Sequence, residues 1–285
     1  MKRPDAKRMP PRGNAGPRRD AGPPRPSGPA SGARRPDGQA GAAERVFGLR
    51  AGLAVLDARP KDIVRIGFTQ DVRAETAALS AWAKAHRIPC DALLDGELER
   101  IAGTPHHEGL VLETRARTWT PAADLASLLT RTQGAAVALD RVRNPYNVGS
   151  ILRTAAFLGL DAALLGSPAP HPALSPDAVR VAEGGAEHLA LSRTTDLADT
   201  LGRLRARGVQ VVGADQHARS VFARPPGRPT VLVLGHEREG LSERVRGACD
   251  ALVSIPGAGP VESLNVGVAA GLLMAELVRD RLMAR

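Results

Sequence analysis

The sequence has little of what several function classes require. Seven of its 285 residues are aromatic: Phe47, Phe68, Trp82, Trp119, Tyr146, Phe157 and Phe222. So few rings, so scattered, exclude a protein that reads single strands by stacking successive bases on aromatic platforms. The two cysteines, Cys90 and Cys249, lie far apart, with no CxxC pair and no histidine spacing to complete a zinc site. Both are expected to be reduced, structurally ordinary thiols, and no metal is expected. No apolar run approaches the roughly 20 residues that span a bilayer, and the basic, proline-rich N-terminus lacks the hydrophobic stretch of a signal peptide. A cytoplasmic protein with no membrane role is therefore expected. Walker loop, nucleophile elbow, HExxH and catalytic Cys/His pairing are all missing as well.

What is present is positive charge, unevenly placed. Lys and Arg number 39 against 30 Asp and Glu, a net +9. Residues 1–43 hold ten of the basic residues, three Asp and nine prolines, and no Val, Ile, Leu, Phe, Trp or Tyr. Nothing there can build a core, so a disordered tail is expected to carry +7 of the +9. Such an arm binds polyanions, RNA above all, by counterion release, with salt-sensitive affinity and little sequence preference. The same composition equally suits a solubilising extension.

From Glu44 onward the composition turns globular. The spacing of apolar residues predicts a helix over Val46–Leu56, a strand over Asp62–Thr69, a helix over Ala74–His86 and a strand over Gly109–Thr114. These make a small α/β unit over residues 44–115. Residues 116–133, with at most a short helix, read as a linker. Residues 134–285 then alternate short apolar runs with helical stretches. The runs are Ala135–Leu139, Ala162–Leu165, His188–Leu191, Val209–Val212, Val231–Leu234 and Ala251–Ile255; the helices include Ser150–Leu158, Leu197–Arg207 and Val266–Leu282. That alternation predicts an α/β fold with a mostly parallel sheet covered on both faces, whose ligands gather beyond the carboxyl ends of its strands.

Three strand ends carry chemistry-bearing sequences. After Leu139 comes an Asn144-Pro145 turn and then Asn147, Gly149 and Arg153. Gly149 would let backbone N–H groups at a helix start approach an anion, and Arg153 would fork onto a phosphate. After Leu234, Gly235 and Gly240 bracket His236, Glu237, Arg238 and Glu239, a tight loop directly behind a buried strand. After Ile255, a Pro- and Gly-rich segment leads to Glu262, Ser263, Leu264 and Asn265. Gly257-x-Gly259 invites the dinucleotide fingerprint, but Glu262 replaces its third glycine, which disfavours a nicotinamide dehydrogenase. Each loop alone also fits a plain structural reading: Asn147 capping a helix with Arg153 in solvent, a self-compensating charged turn, and Ser263 capping the last helix. On that helix Leu264, Val268, Leu272 and Leu273 have the spacing of a packing stripe, against the sheet or a second subunit.

Taken together and in order, the loops resemble the three motifs of the SpoU/TrmH family of RNA ribose 2′-O-methyltransferases, in the SPOUT superfamily. Asn147-x-Gly149-x-x-x-Arg153 is similar to motif 1. Gly235-x-Glu237-x-x-Gly240-Leu241-Ser242 is similar to motif 2, and Ile255-Pro256 with Ser263-Leu264-Asn265-Val266 to motif 3. Residues 46–113, including Phe47-Gly48-Leu49 and His107-x-Gly109, resemble that family's L30e-like substrate-binding domain. His236, Glu183 and Gly267 stand where other residues are frequent in the family.

The resemblance implies a C-terminal trefoil knot, which general folding rules would not suggest. It also implies methylation of a ribose 2′-hydroxyl in tRNA or rRNA with S-adenosyl-L-methionine, by a homodimer paired through the knot helices. By position, Gly235, Ile255 and Leu264 would hold the cofactor. Asn147, Arg153, Glu237, Ser263 and Asn265 would line the catalytic face, one subunit completing the other's site. The competing expectation is a non-catalytic RNA-binding or ribosome-assembly factor on the same scaffold.

Overall fold

The computed structural model describes residues 43–166, 174–223 and 227–284. The expected basic tail lies outside the described residues except for Ala43, which opens the first strand. Among the described residues no helix is long and apolar enough to cross a membrane.

The N-terminal part is built from β1 (Ala43–Phe47), α1 (Leu49–Ala58), β2 (Ile63–Phe68), α2 (Ala77–His86), β3 (Cys90–Ala92), α3 (Asp95–Ala102) and β4 (Leu110–Arg115). Its four strands run in the order β1-β4-β2-β3. Val46, Ile63, Ile66, Leu110 and Leu112 pack under α1 and α2, while Phe47 and Val111 meet Leu98 and Ala102 of α3 on the other face. The helix expected over Val46–Leu56 is thus two elements. Val46 and Phe47 pair with Leu112 and Val111 of β4, and Gly48, at φ 101, breaks the chain before α1. Apolar spacing cannot separate a strand, a one-residue turn and a helix from one continuous helix; the left-handed glycine decides it. Strand β3 and helix α3 carried too few apolar residues to be legible.

Residues 116–133 are more than a linker, because α4 (Ala122–Thr132) buries Leu125, Ala126 and Leu129 against the second sheet. That sheet is assembled from β5 (Ala135–Asp140), α5 (Pro145–Phe157), β6 (Ala162–Gly166), α6 (Pro176–Val181), β7 (Ala190–Thr194), α7 (Leu197–Arg205), β8 (Gln210–Ser220), β9 (Thr230–Leu234), α8 (Glu243–Ala248), β10 (Ala251–Ser254), α9 (Val266–Leu277) and α10 (Arg279–Met283). Its six strands, in the order β10-β8-β9-β5-β6-β7, are all parallel. Alternate residues face opposite layers. Ala135, Val137 and Leu139 meet α5 and α9 on one side, and Ala136 and Ala138 meet α4 and α7 on the other. Burial of both faces is why every residue of β5 is buried and its run from Ala135 to Leu139 is continuously apolar, with Asp140 at its carboxyl end.

Several boundaries moved. The strand expected over His188–Leu191 is Ala190–Thr194, in register with β6 from Ala162 to Gly166, and residues 185–187 before it form a 3₁₀ turn. Strand β8 runs on to Ser220 because β10 pairs with both of its ends: Ala251 and Leu252 with Val212 and Gly213, then Val253 and Ser254 with Arg219 and Ser220. The final helix stops at Leu277, and a short separate helix follows Val278. Both cysteines are free thiols, and burial beside Asp250 pushes the Cys249 thiol up to about 11, so it stays protonated at neutral pH.

The two sheets are tied by buried ions. Arg117, after β4, donates to Glu44 of β1 at 2.7 and 2.9 Å and to Glu187 of the 3₁₀ turn at 3.1 Å. Arg59, after α1, donates to Glu187 at 2.9 Å and to Glu44 at 3.3 Å. Burial pushes the Arg59 guanidinium down, but the hydrogen bond and charge of Glu187, with the charges of Glu44 and Asp62, more than offset this and hold it above its ordinary value. The chain thus closes a four-membered cycle of alternating charge between the N-terminal strands and the second sheet's α6–β7 connection.

Candidate active site

Strand order reverses at β5: β6 and β7 lie to one side, β9, β8 and β10 to the other. Loops that leave the carboxyl ends of β5 and β9 therefore diverge around a crevice, the place where open parallel sheets take their ligands. The third loop starts at β10, on the sheet edge, and returns across β8 and β9 to start α9, which packs on α5.

The first loop begins α5 earlier than expected. Asn144 is the N-cap, its side chain accepting from Tyr146 N at 2.9 Å, with Pro145 in the first turn. Asn147 is therefore not a cap but an inward-reaching side chain of that turn. Gly149 has a different role from the expected anion cradle: a Cβ there would lie 2.6 Å from both Ala178 O and Val181 Cβ. It is a helix-packing glycine that lets α6 approach α5.

The second loop is held shut by its own backbone and by the end of β5. His236 and Gly240 exchange N–H···O bonds of 3.0 and 2.9 Å. A Cβ on Gly235 would sit 2.3 Å from the Gly240 carbonyl carbon, so no other residue fits without opening the loop. Gly235→Ala is expected to destabilise the fold by roughly 1–3 kcal/mol through overpacking, measured from urea unfolding midpoints against the parent chain. Asp140 accepts from Ser242 N at 2.6 Å. Arg141, at φ 63, donates to Gly240 O at 3.0 Å and pairs with Glu239. His236 Nδ1 accepts from Arg238 N at 3.2 Å, which leaves its proton on Nε2, 4.0 Å from a Glu237 carboxylate oxygen. Sequence reasoning did not single out Asp140 and Arg141 as holding this loop; the one signal was an Asp-Arg pair at the end of a buried strand.

The three loops meet through one directed chain of hydrogen bonds. Asn265, and not Ser263, caps α9 by accepting from Gly267 N at 2.8 Å, so its amide must donate outward. It donates to Asn147 Oδ1 at 3.1 Å, and Asn147 donates to Glu237 Oε1 at 2.6 Å. The polarity is forced at both ends, because an ionised carboxylate only accepts. The fit around Gly267 is close: a Cβ there would lie 3.1 Å from both Asn265 Oδ1 and Ser150 Oγ.

Other expected site residues sit apart from that chain. Residues 256–265 are exposed, and residues 255–264 make no backbone hydrogen bonds among the described residues, so their N–H and C=O groups stay open. Ser263 and Leu264 lie in this stretch, and Ile255 is half-buried at its start. Arg153, six residues beyond Asn147, stands roughly 9 Å further along α5 and about 120° around it. It pairs with Glu183 at 2.6 Å and not with Asn147, Glu237 or Asn265. The stripe read on α9 is also divided. Leu273 is buried with Val266, Ala270, Met274 and Leu277, whereas Leu264, Val268 and Leu272 are 50%, 54% and 44% exposed and Phe157 of the adjoining α5 is 86% exposed. The helix is apolar on two faces, and the sheet covers only one.

Comparison with known proteins agrees with this architecture. Residues 134–275 match the SpoU rRNA Methylase family, and residues 45–119 match the RNA 2′-O ribose methyltransferase substrate binding family. The chain is 35% identical to the 23S rRNA (guanosine-2′-O-)-methyltransferase RlmB of Pseudomonas putida, covering 85% of this chain and 98% of that one. It is 34% identical to the uncharacterized tRNA/rRNA methyltransferase YfiF of Escherichia coli O157:H7, over 83% of this chain and 68% of the other. Among solved structures, the SpoU methyltransferase AviRb of Streptomyces viridochromogenes, in complex with AdoMet, superposes with a TM-score of 0.69 at 27% identity, covering 85% and 91% of the two chains. The AdoMet-bound rRNA methyltransferase of Sinorhizobium meliloti gives 0.70 at 26% identity, covering 84% and 87%. With the substrate-binding match before it and three loops closing on Asn147 at the sheet's reversal point, this chain belongs to the SpoU rRNA methylase family.

Proposed function

We propose that the protein transfers a methyl group from S-adenosyl-L-methionine to a ribose 2′-hydroxyl of tRNA or rRNA. The observation that carries this reading is the Asn265–Asn147–Glu237 chain, which fixes three loops against one another at the crevice. The open backbone groups of residues 255–264 suit the hydrogen-bonding edge of an adenine and its ribose, with Gly235 and Ile255 shaping the wall and Leu264 covering it. When bound, S-adenosylmethionine supplies an electrophilic methyl group on a sulfonium, so the protein needs little acid–base machinery.

Its task is placement of the hydroxyl in line with that methyl, and geometry supplies much of the acceleration. Glu237, with one oxygen held by Asn147, has the other available to receive the hydroxyl proton, and a phosphate oxygen of the RNA is the competing acceptor. The Arg153 guanidinium grips the RNA phosphate and stabilises the developing alkoxide. Ser263 lines the same face from the third loop.

Arg153 lies outside its own chain's hydrogen-bonded cluster, beside the uncovered apolar surface of Phe157, Val268 and Leu272. A homodimer through these helices covers that surface and brings Arg153 to the partner's site. Residues 44–115 are the RNA substrate-binding domain, residues 134–285 the catalytic domain, and the return of residues 255–265 across the sheet is the crossing of a trefoil knot. This chemistry belongs in the cytoplasm, with the RNA.

The test uses the purified full chain, labelled S-adenosylmethionine and unmodified 23S rRNA transcript, the RNA named for relatives 35% and 36% identical over 98% and 97% of their length. Label retained as a ribose methyl group is expected, together with saturable heat on titrating the cofactor. Absence of both would favour the non-catalytic RNA-binding scaffold.

A further inference from the structure

We propose that the Glu183 carboxylate holds the place of an RNA phosphodiester, and that Arg50 is a second phosphate-binding residue beside Arg153. The inference rests on the reading that Arg153 meets RNA. Glu183 Oε1 lies 2.6 Å from Arg153 Nη1, and its other oxygen lies 3.6 Å from Arg50 Nε. One oxygen thus faces each guanidinium, as the two non-bridging oxygens of a phosphodiester would.

The two arginines come from different folds. Arg50 belongs to α1, within the stretch matching the substrate-binding family, and Arg153 belongs to α5. They line one open cavity of about 460 Å³ with Thr154, Phe157 and Glu183. RNA presented by the first fold to the second must pass such a junction, which makes a polynucleotide backbone the fitting anion.

The backbone shows that the acid is placed there against local preference. Glu183 has φ 45, a left-handed conformation that favours Gly or Asn. The turn is wedged in place: a Cβ on Gly184 would meet Ala54 Cβ of α1 at 2.7 Å, and one on Gly185 would meet Arg153 Cα at 2.9 Å. An outlier held by its surroundings beside an arginine read as an RNA contact is the pattern of a functional constraint. The pair is also displaceable, since both arginine side chains are more than half exposed and exposed ion pairs are weak. A carboxylate here keeps both guanidinium groups converged when RNA is absent and yields to the phosphate when RNA arrives.

The experiment measures binding of labelled, unmodified 23S rRNA transcript to the full chain at several salt concentrations. Glu183→Gln is expected to tighten binding up to about fivefold at low salt, the equilibrium equivalent of an exposed ion pair, with cofactor affinity unchanged. Glu183→Gly, which also suits the left-handed backbone, is expected to give the same gain and guards against a folding artefact of the first variant. Arg50→Ala is expected to weaken binding and to lower the slope of log affinity against log salt by roughly 0.7–0.9, one phosphate contact. Unchanged or weaker binding in both Glu183 variants, or an unchanged salt slope in Arg50→Ala, would overturn the proposal. Full methyl transfer by an Arg153→Ala chain would instead overturn the reading it rests on.

Discussion

Replacing Arg153 by alanine is expected to lower kcat/KM for RNA methylation roughly 100- to 1,000-fold, the cost of removing one preorganised charge donor from a developing oxyanion. Cofactor affinity should not change, because Arg153 touches none of the loops around Gly235 and residues 255–264. Arg153→Lys should recover only part of the loss, since an ammonium keeps the charge but not the two-pronged geometry. Loss of cofactor binding in step with activity would show that the residue supports the fold of the site instead.

Mixing variants separates action within one chain from action across a dimer. Glu237 and Arg153 lie in different clusters of the same chain, so Arg153→Ala and Glu237→Gln disable complementary halves of a shared site. If Arg153 serves the partner, random re-pairing of equal amounts of the two inactive proteins restores up to about a quarter of the parent activity, because half the dimers are mixed and each holds one intact site. If Arg153 serves its own chain, mixing restores nothing. The exposed apolar residues of α5 and α9 require some cover in either case, and sedimentation of each variant reports whether it still pairs.

Arg117→Ala is expected to cost about 3–5 kcal/mol of stability, read from urea unfolding midpoints with the slope held constant. Glu187 is 4% exposed and Glu44 20%, and without the Arg117 side chain Glu187 depends on Arg59 alone, while Glu44 keeps Arg59 and the backbone N–H of residue 117. The largest part of the loss is a buried carboxylate left short of partners, not the value of the ion pair itself. Arg117→Lys should rescue little, because the guanidinium serves Glu44 twice, Glu187 once and the Ala186 carbonyl at 3.4 Å. Glu187 follows directly on the turn that carries Glu183, so loosening this cycle is also expected to blur the position of Arg153. A loss under about 1 kcal/mol, the range of an exposed pair, would show that Arg59 suffices.

Patterning alone carried the second sheet well. Parallel strands buried on both faces are apolar through their centres, so β5, β6 and β9 read as short uninterrupted runs with loops at the carboxyl ends of β5 and β9. Elements whose identity rests on a single residue or a partner were not legible. Gly48 splits a strand from a helix that share one apolar rhythm, and α4 is amphipathic only because a sheet lies beneath it. Strand β8 owes its length to two separate pairings with β10.

The same division holds at the site. Composition and spacing set out which residues are chemically competent: two amides, a carboxylate and a guanidinium on three strand-following segments, the guanidinium within α5. The tertiary structure decided which of them meet. It joined Asn265, Asn147 and Glu237 in one directed hydrogen-bonded chain, made Gly149 a packing residue, and turned Arg153 toward Glu183 and Arg50. The physical reason is range: strand and helix formation follow from the alternation of neighbours along the chain, whereas those contacts join residues from 30 to 118 positions apart, which only the packing of α5, α6 and α9 around one sheet brings within a hydrogen bond's reach.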